Sequence, residues 1–128
     1  MLIGPGDPLN VAGESNMAVK VLPIPPKGEK VEWNNIYFGD SIDGMDRIDK
    51  KSVDLVITSP PYADMKKYAD GFDGFHPDNY VEWFLPYISE IARILKDTGS
   101  FILNINDKSM DGFRHPFIFE LIYLFFQK

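Results

Sequence analysis

Thr58-Ser59-Pro60-Pro61-Tyr62 is the stretch of this 128-residue chain whose residue types point most directly to chemistry. Two consecutive prolines fix φ twice and remove two backbone donors. Such a turn presents carbonyl acceptors and one hydroxyl in a fixed array, with an aromatic ring beside them. The bland alternative is a strand-ending turn with an incidental Tyr. Gly39-Asp40-Ser41 is a second segment of interest, because it sets a carboxylate beside a glycine. Its bland alternative is a turn-forming Asp or a helix cap.

Both segments follow an apolar run. Val53-Asp54-Leu55-Val56-Ile57 is nearly continuous in apolar residues, as a strand covered on both faces should be. It stops at Ser59-Pro60-Pro61, where two prolines cannot continue a ladder. Ile36-Tyr37-Phe38 reads as a shorter strand ending at Gly39-Asp40. Ile42, Met45 and Ile48 then recur at helical spacing, with Ser41 as the expected N-cap. In open α/β sheets ligands bind at the carboxyl ends of strands, where both segments fall.

Residues 63–76 are polar, aperiodic and glycine-containing, and read as a long loop. A helix is expected from Pro77 to about Leu95, with Val81, Phe84, Leu85, Ile88, Ile91 and Leu95 as its apolar stripe. Pro86 lies inside it, and Asp97-Thr98-Gly99 is expected to close it. Ser100 to Asn104 reads as a third strand. A loop with Gly112 leads to a last helix beginning near Pro116, apolar nearly all round as far as Phe126. Such a helix is normally buried on all sides, and it is too short to span a bilayer. Strands alternating with helices predict an α/β layered fold with a mostly parallel sheet.

Composition bounds the possibilities. Hydrophobic residues make up 45% of the chain, too many for a disordered one. Residues 1–31, rich in Gly and Pro, read as a flexible lead-in, and residues 32–128 as one domain. The start lacks the basic and apolar regions of a secretory signal. No apolar run reaches membrane-spanning length. With no Cys, disulfides and Cys-ligated metals are excluded. These features suit a reducing, cytoplasmic location. The net charge of -6 argues against a stand-alone nucleic-acid binder, because phosphate contacts need surplus Lys and Arg.

Asp54 to Tyr62 resembles the catalytic motif of amino-group DNA methyltransferases, the cytosine-N4 and adenine-N6 enzymes. The Ser-Pro-Pro-Tyr form is most similar to the cytosine-N4 members; adenine-N6 members usually carry Asp or Asn in place of Ser59. Tyr37-Phe38-Gly39-Asp40-Ser41 resembles the strand end that holds the cofactor's adenine moiety. Ile91 to Lys96, Gly99 and Phe101 to Asn104 follow in the family's order, so the resemblance covers about residues 35–126. It implies a Rossmann-like fold, S-adenosylmethionine as cofactor and double-stranded DNA as substrate. It also implies methyl transfer to an exocyclic amine of an extruded base. Ser59, Pro60, Pro61 and Tyr62 become the expected catalytic residues. Asp40, Ser41 and Thr58 become the expected cofactor contacts, and no metal is needed.

An exocyclic amine is a poor nucleophile because its lone pair is delocalised into the base. Acceptors beside each N–H draw the nitrogen toward a tetrahedral shape. Ser59 Oγ and the Pro60 carbonyl suit that role, and Tyr62 suits stacking. One departure stands out. The family's glycine-rich Phe-x-Gly-x-Gly loop is missing, and Gly71-Phe72-Asp73-Gly74-Phe75 is a poor substitute with no strand before it. In a circularly permuted subgroup that loop comes late, after a target-recognition region. The chain therefore resembles the N-terminal portion of such an enzyme, its sheet incomplete. A second chain or a missing C-terminal half is the expected partner. The competing expectation is a non-catalytic fragment that serves only in assembly.

Other residues read more plainly. Lys66 and Lys67 are expected to be solvated loop charges rather than phosphate contacts. Asp70, Asp73 and Asp78 lack the spacing of a Ca²⁺ loop. His76 and His115 precede prolines and read as loop residues. Trp83, Phe84 and Tyr87 read as core. Asn104 to Asp107 follows a strand at the ligand edge and is a possible substrate contact.

Overall fold

A computed structural model describes residues 2–3, 19–63 and 75–127. The expected loop's residues 64–74, with Lys66, Lys67, Asp70 and Asp73, lie outside the described residues, as do residues 4–18 of the lead-in. The chain forms two compact units. The first comprises Met1–Ile57 with Arg93–Ile102, the second Thr58–Ala92 with Leu103–Lys128.

In the first unit, strand β1 (Leu2–Ile3) lies antiparallel to the long strand β4 (Val53–Thr58), with Leu2 opposite Val56. On its other side β4 neighbours β5 (Leu95–Leu103). A second sheet pairs β2 (Val21–Pro23) with β3 (Ile36–Phe38) in parallel, Val21 opposite Ile36. The two sheets share no strand, so the sheet of the α/β fold is incomplete among the described residues.

Three expectations are corrected here. Order does not wait for Glu32, because β2 lies upstream of it. Val19 to Leu22 is too short a run to show strand alternation, and Pro23 is tolerated because an edge strand needs no donor there. The sheets are less uniformly parallel than expected, since β1 runs antiparallel. The expected helix cap at Gly99 lies inside β5. Gly99 makes a close approach there: a Cβ would meet Leu95 Cδ2 and the Lys96 carbonyl at 3.0 Å and the Val53 carbonyl at 3.1 Å, so these neighbours would have to give by a few tenths of an ångström.

Helix α1 (Ser41–Asp46) follows β3. The end of α1 and the turn after it find a partner far along the chain. The Arg93 guanidinium donates to Met45 O at 2.7 Å and to Ile48 O at 2.9 Å, a cation placed at the helix's C-terminal end. Among the described residues, Met45, Ile48, Val53, Val56 and Ile94 are the buried apolar residues of this unit.

The second unit is organised by helix α2 (Pro77–Ile94), which passes into the first unit at Arg93. Pro77 suits a first turn, where no intrahelical partner awaits an N–H. Tyr80, Phe84, Ile88 and Ile91 recur at helical spacing and are all buried, while Val81 and Leu85 are only half-buried. The stripe thus begins at Tyr80, not Val81. Tyr80, Phe84 and Ile88 form one cluster with Ala63, Phe117 and Leu121. Trp83 and Tyr87 pack against it, as core residues should.

Where a plain loop was expected around Gly112, β6 (Ser109–Met110) and β7 (Phe113–Arg114) form an antiparallel hairpin. Asp111 and Gly112 between them have φ 51° and 83°. Positive φ at both turn residues is the two-residue geometry that an Asp-Gly pair favours. Helix α3 (Phe117–Phe126) follows as expected. It buries Phe117 and Leu121, whereas Phe119, Tyr123 and Phe126 are 70%, 64% and 84% exposed. No helix among the described residues is long and apolar enough to cross a membrane.

Candidate active site

The end of β4 delivers the chain into a turn held at both ends through its carbonyls. Thr58, half-buried, accepts from the Asn104 amide at 2.9 Å. Asn104 stands directly after β5, so the turn begins where two neighbouring strands end. At the far side, the Pro61 carbonyl accepts from the Ala63 amide at 3.1 Å and from the Tyr80 hydroxyl at 2.6 Å. Ala63 is buried with φ 40°, a left-handed conformation that costs a non-glycine residue about 1–2 kcal/mol.

Between these anchors Ser59 is exposed, Pro60 buried, and Pro61 and Tyr62 half-buried. Ser59 Oγ lies 3.1 Å from Tyr62 Oη, either oxygen able to donate. The first and last residues of Ser59 to Tyr62 are thereby linked across the two prolines. Ser59, Pro60, Pro61 and Tyr62 are thus one assembled turn, with its hydroxyl pair at the surface rather than sealed in apolar packing.

Asp40 and Ser41 lie in the first unit. Gly39 has φ 140°, and a Cβ there would stand 2.6 Å from Ile24 Cδ1, so only glycine suits this close turn. Asp40, not Ser41, is the N-cap of α1. Its Oδ1 accepts from the Ile42 amide at 2.8 Å and the Asp43 amide at 3.3 Å. Asp caps as well as Ser does, and here it stands one residue earlier, where its carboxylate reaches both amides. Ser41 becomes the first helical residue and is exposed.

Residues missed in the sequence complete the picture. Tyr80 was hidden among aromatic residues of an amphipathic helix; the spacing 80, 84, 88 was the available signal. His115, as expected, lies in the loop before α3, and its ring is engaged on both sides. Its Nδ1 accepts from the Phe117 amide at 3.3 Å, which leaves Nε2 to donate to Asp78 Oδ1 at 2.8 Å. His76 Nδ1 lies 3.3 Å from Asp78 Oδ2. Asp107 pairs with Arg114. Among the described residues no group of three or more His, Cys, Asp or Glu is placed to hold a metal ion. An open groove of about 450 Å³ lies away from the turn, against Val81 of α2 and Phe119, Glu120, Tyr123 and Leu124 of α3. Its apolar lining offers little polar chemistry, so the turn after β4 remains the candidate site.

Known proteins agree on where the likeness lies. A family profile described as DNA methylase matches residues 53–128, from the start of β4 onward. Type II methyltransferase M.PvuII of Proteus hauseri is 33% identical over 78 residues, 61% of this chain and 23% of its own. DNA adenine methyltransferase YhdJ of Escherichia coli (strain K12) is 30% identical over 87 residues, 68% of this chain and 28% of its own. The chain therefore spans about a quarter of the length of these curated relatives. Among solved structures, PvuII DNA methyltransferase (cytosine-N4-specific) superposes with a TM-score of 0.58 at 29% identity. That match covers 72% of this chain and 33% of the other. The incomplete sheet accordingly has the architecture of part of a methyltransferase fold.

Proposed function

The chain belongs to the DNA methylase family, and we propose that it carries the base-holding part of a methyl transfer to the exocyclic amino group of a DNA base. Cytosine N4 is the favoured target. One observation carries the reading. An exposed Ser59 hydroxyl stands at the end of a strand that buries only Val53 and Val56, in a proline turn whose outer carbonyls are held by Asn104 and Tyr80.

The chemistry follows from those atoms. A target amine inside the double helix is out of reach, so the base must leave the stack. Its two N–H groups then meet Ser59 Oγ and the Pro60 carbonyl. Each bond pulls the nitrogen toward a tetrahedral shape and frees its lone pair for attack on an incoming methyl carbon, whose bond to the donor sulfur would break as the N–C bond forms, the methylated nitrogen then giving one of its protons to solvent. Tyr62, tied to Ser59 through its hydroxyl, offers its ring to the base. These groups act by position and oriented dipoles, which need no rearrangement as charge develops. Serine at the motif's first position, and the cytosine-N4 specificity of the structural neighbour, favour cytosine. The likeness to YhdJ keeps adenine N6 as the second reading.

S-adenosylmethionine supplies the methyl group when bound. The residues present fit its adenosine end. Asp40 is exposed at a strand's carboxyl end, and capping occupies only its Oδ1, so Oδ2 is available to a ribose hydroxyl or an amine. Ser41 stands beside it. For the methionine end no matching loop is found in the sequence. We therefore place the glycine-rich loop and the target-recognition region on a second chain or on a C-terminal continuation. The short span relative to known methylases and the bare apolar side of α3 support this. Double-stranded DNA is the proposed substrate, and a cytoplasmic setting suits it. The same two observations favour the competing reading of an assembly piece without catalytic competence.

One assay separates the readings. The chain, alone and with any polypeptide that co-purifies with it, is incubated with methyl-labelled S-adenosylmethionine and unmethylated genomic DNA. The nucleosides are then analysed by mass. N4-methylcytosine is expected from the complex, and calorimetry should show weak cofactor binding by the chain alone. N6-methyladenine would shift the target base. No methylated nucleoside from the complex would leave the assembly role.

A further inference from the structure

We propose that Tyr80 is a positioning residue for methyl transfer: its hydroxyl holds the Pro61 carbonyl so that Ser59 Oγ and the Pro60 carbonyl stay aimed at the substrate amine. This rests on the reading of the turn as the base-holding site.

Tyr80 lies in the first turn of α2, and its ring is completely buried. The ring is held on three sides, by Trp83 at 5.2 Å, Phe117 at 5.0 Å and Phe84 at 6.2 Å between centroids. A ring packed this way has little rotational freedom, so its hydroxyl occupies one place. That place is 2.6 Å from the Pro61 carbonyl, 19 residues earlier in the chain. With Ala63 N–H as the second donor, both lone pairs of this carbonyl are used.

The consequence falls on the residues in between. Prolines at 60 and 61 remove two N–H groups, so the turn has few backbone donors of its own, the Ala63 amide being one. The rest of its order comes from donors elsewhere acting on its carbonyls. The Asn104 amide takes the carbonyl of Thr58, and Tyr80 with Ala63 takes that of Pro61. Among the described residues the carbonyls of Ser59 and Pro60 accept no hydrogen bond from the protein. The two engaged carbonyls thus bracket the two that stay open. If Tyr80 lost its hydroxyl, the Pro61 peptide would be held by one amide alone. A displacement of an ångström in such a support is enough to cost about 100-fold in rate.

A buried tyrosine with a satisfied hydroxyl also has a purely structural explanation. The experiment must therefore read more than stability. Tyr80→Phe keeps the ring and deletes the hydroxyl. It is tested in the methylating complex, on a duplex carrying the target site mapped by methylation-sensitive sequencing of DNA treated with that complex. A second duplex has 2-aminopurine in place of the target base, so that extrusion is read as a rise in fluorescence. The expected result is a fall in kcat of about 10- to 100-fold, with KM for DNA and for S-adenosylmethionine, and the fluorescence rise, all near wild type. Unchanged kcat overturns the proposal. So does a loss of extrusion in parallel with kcat, since that is the mark of a generally loosened fold.

Ser59→Ala, run beside it, tests the underlying reading by itself. Wild-type transfer by that variant removes the turn from the mechanism. Inactivity of Ser59→Ala with full activity of Tyr80→Phe removes Tyr80 alone. Should Tyr80→Phe fail to fold, the wild-type protein still decides. Its Tyr80 hydroxyl proton should be protected from exchange in spectra of ring-labelled tyrosine, and an unprotected proton overturns the proposal.

Discussion

After β3 the chain turns on a glycine; after β4 it turns on two prolines. Gly39 allows a conformation closed to other residues, and what orders that turn is its surroundings: Ile24 against the backbone and two amides of α1 on Asp40. The turn at Ser59 to Tyr62 is stiff in its covalent structure and is then pinned from outside through the Thr58 and Pro61 carbonyls. The first turn thus spends half of its carboxylate on local structure. The second keeps its exposed hydroxyl clear of any capping duty. A group asked to aim at a reacting nitrogen needs the second kind of support, whereas a group that anchors a cofactor hydroxyl tolerates the first.

Substitutions in the two turns should therefore fail in different ways. The largest effect is expected from Ser59→Ala in the methylating complex. Transfer should fall about 100- to 1,000-fold, as when a preorganised hydrogen-bonding group is removed from other enzymes, with thermal stability unchanged. Equal activity would end the contrast. Gly39→Ala should destabilise the fold by about 1–3 kcal/mol, since the new Cβ meets Ile24 in a strained conformation. Urea unfolding reads this, and pairing it with Ile24→Ala should recover part of the loss.

Asp40→Ala should cost about 1 kcal/mol for the lost cap. Asp40→Ser sharpens the comparison by keeping a capping oxygen while deleting the carboxylate. Stability should return in that variant, while the complex that carries it should bind S-adenosylmethionine more weakly by calorimetry than the wild-type complex; equal binding would confine Asp40 to capping. The smallest effect is expected at the pair Lys96 Nζ to Asp54 Oδ1, 2.7 Å apart on β5 and β4. Both side chains are partly exposed, so Asp54→Asn should cost only about 0.2–1 kcal/mol and leave both turns intact.

Several elements were legible because their signals are local. An apolar run stopped by prolines marks β4, and helical spacing after Pro77 marks α2. The hairpin of β6 and β7 was equally local: Asp111-Gly112 is a strong turn signal, easily passed over when each flanking strand has only two residues. β2 was not legible in that way, because three residues carry no period and become a strand only by pairing with β3. Nor did Gly99 declare itself. A glycine after a helix reads as a cap, and only the closeness of Leu95, Lys96 and Val53 atoms shows that a side chain would be crowded there. Within the site, Ser59 to Tyr62 stood out as a motif, while Tyr80 looked like one more aromatic residue of an amphipathic helix.

Residue order alone determined which groups this protein can offer. Two adjacent prolines dictate a stiff, donor-poor bend wherever they occur, and the tetrapeptide around them carries the family likeness. Tertiary structure decided what each group is occupied with. Asp40 became a cap because α1 begins one residue after it. Pro61 gave up its carbonyl because α2 brings the Tyr80 hydroxyl back across 19 residues. Hydrogen bonds over such separations depend on how helices and strands pack, and no local pattern encodes them.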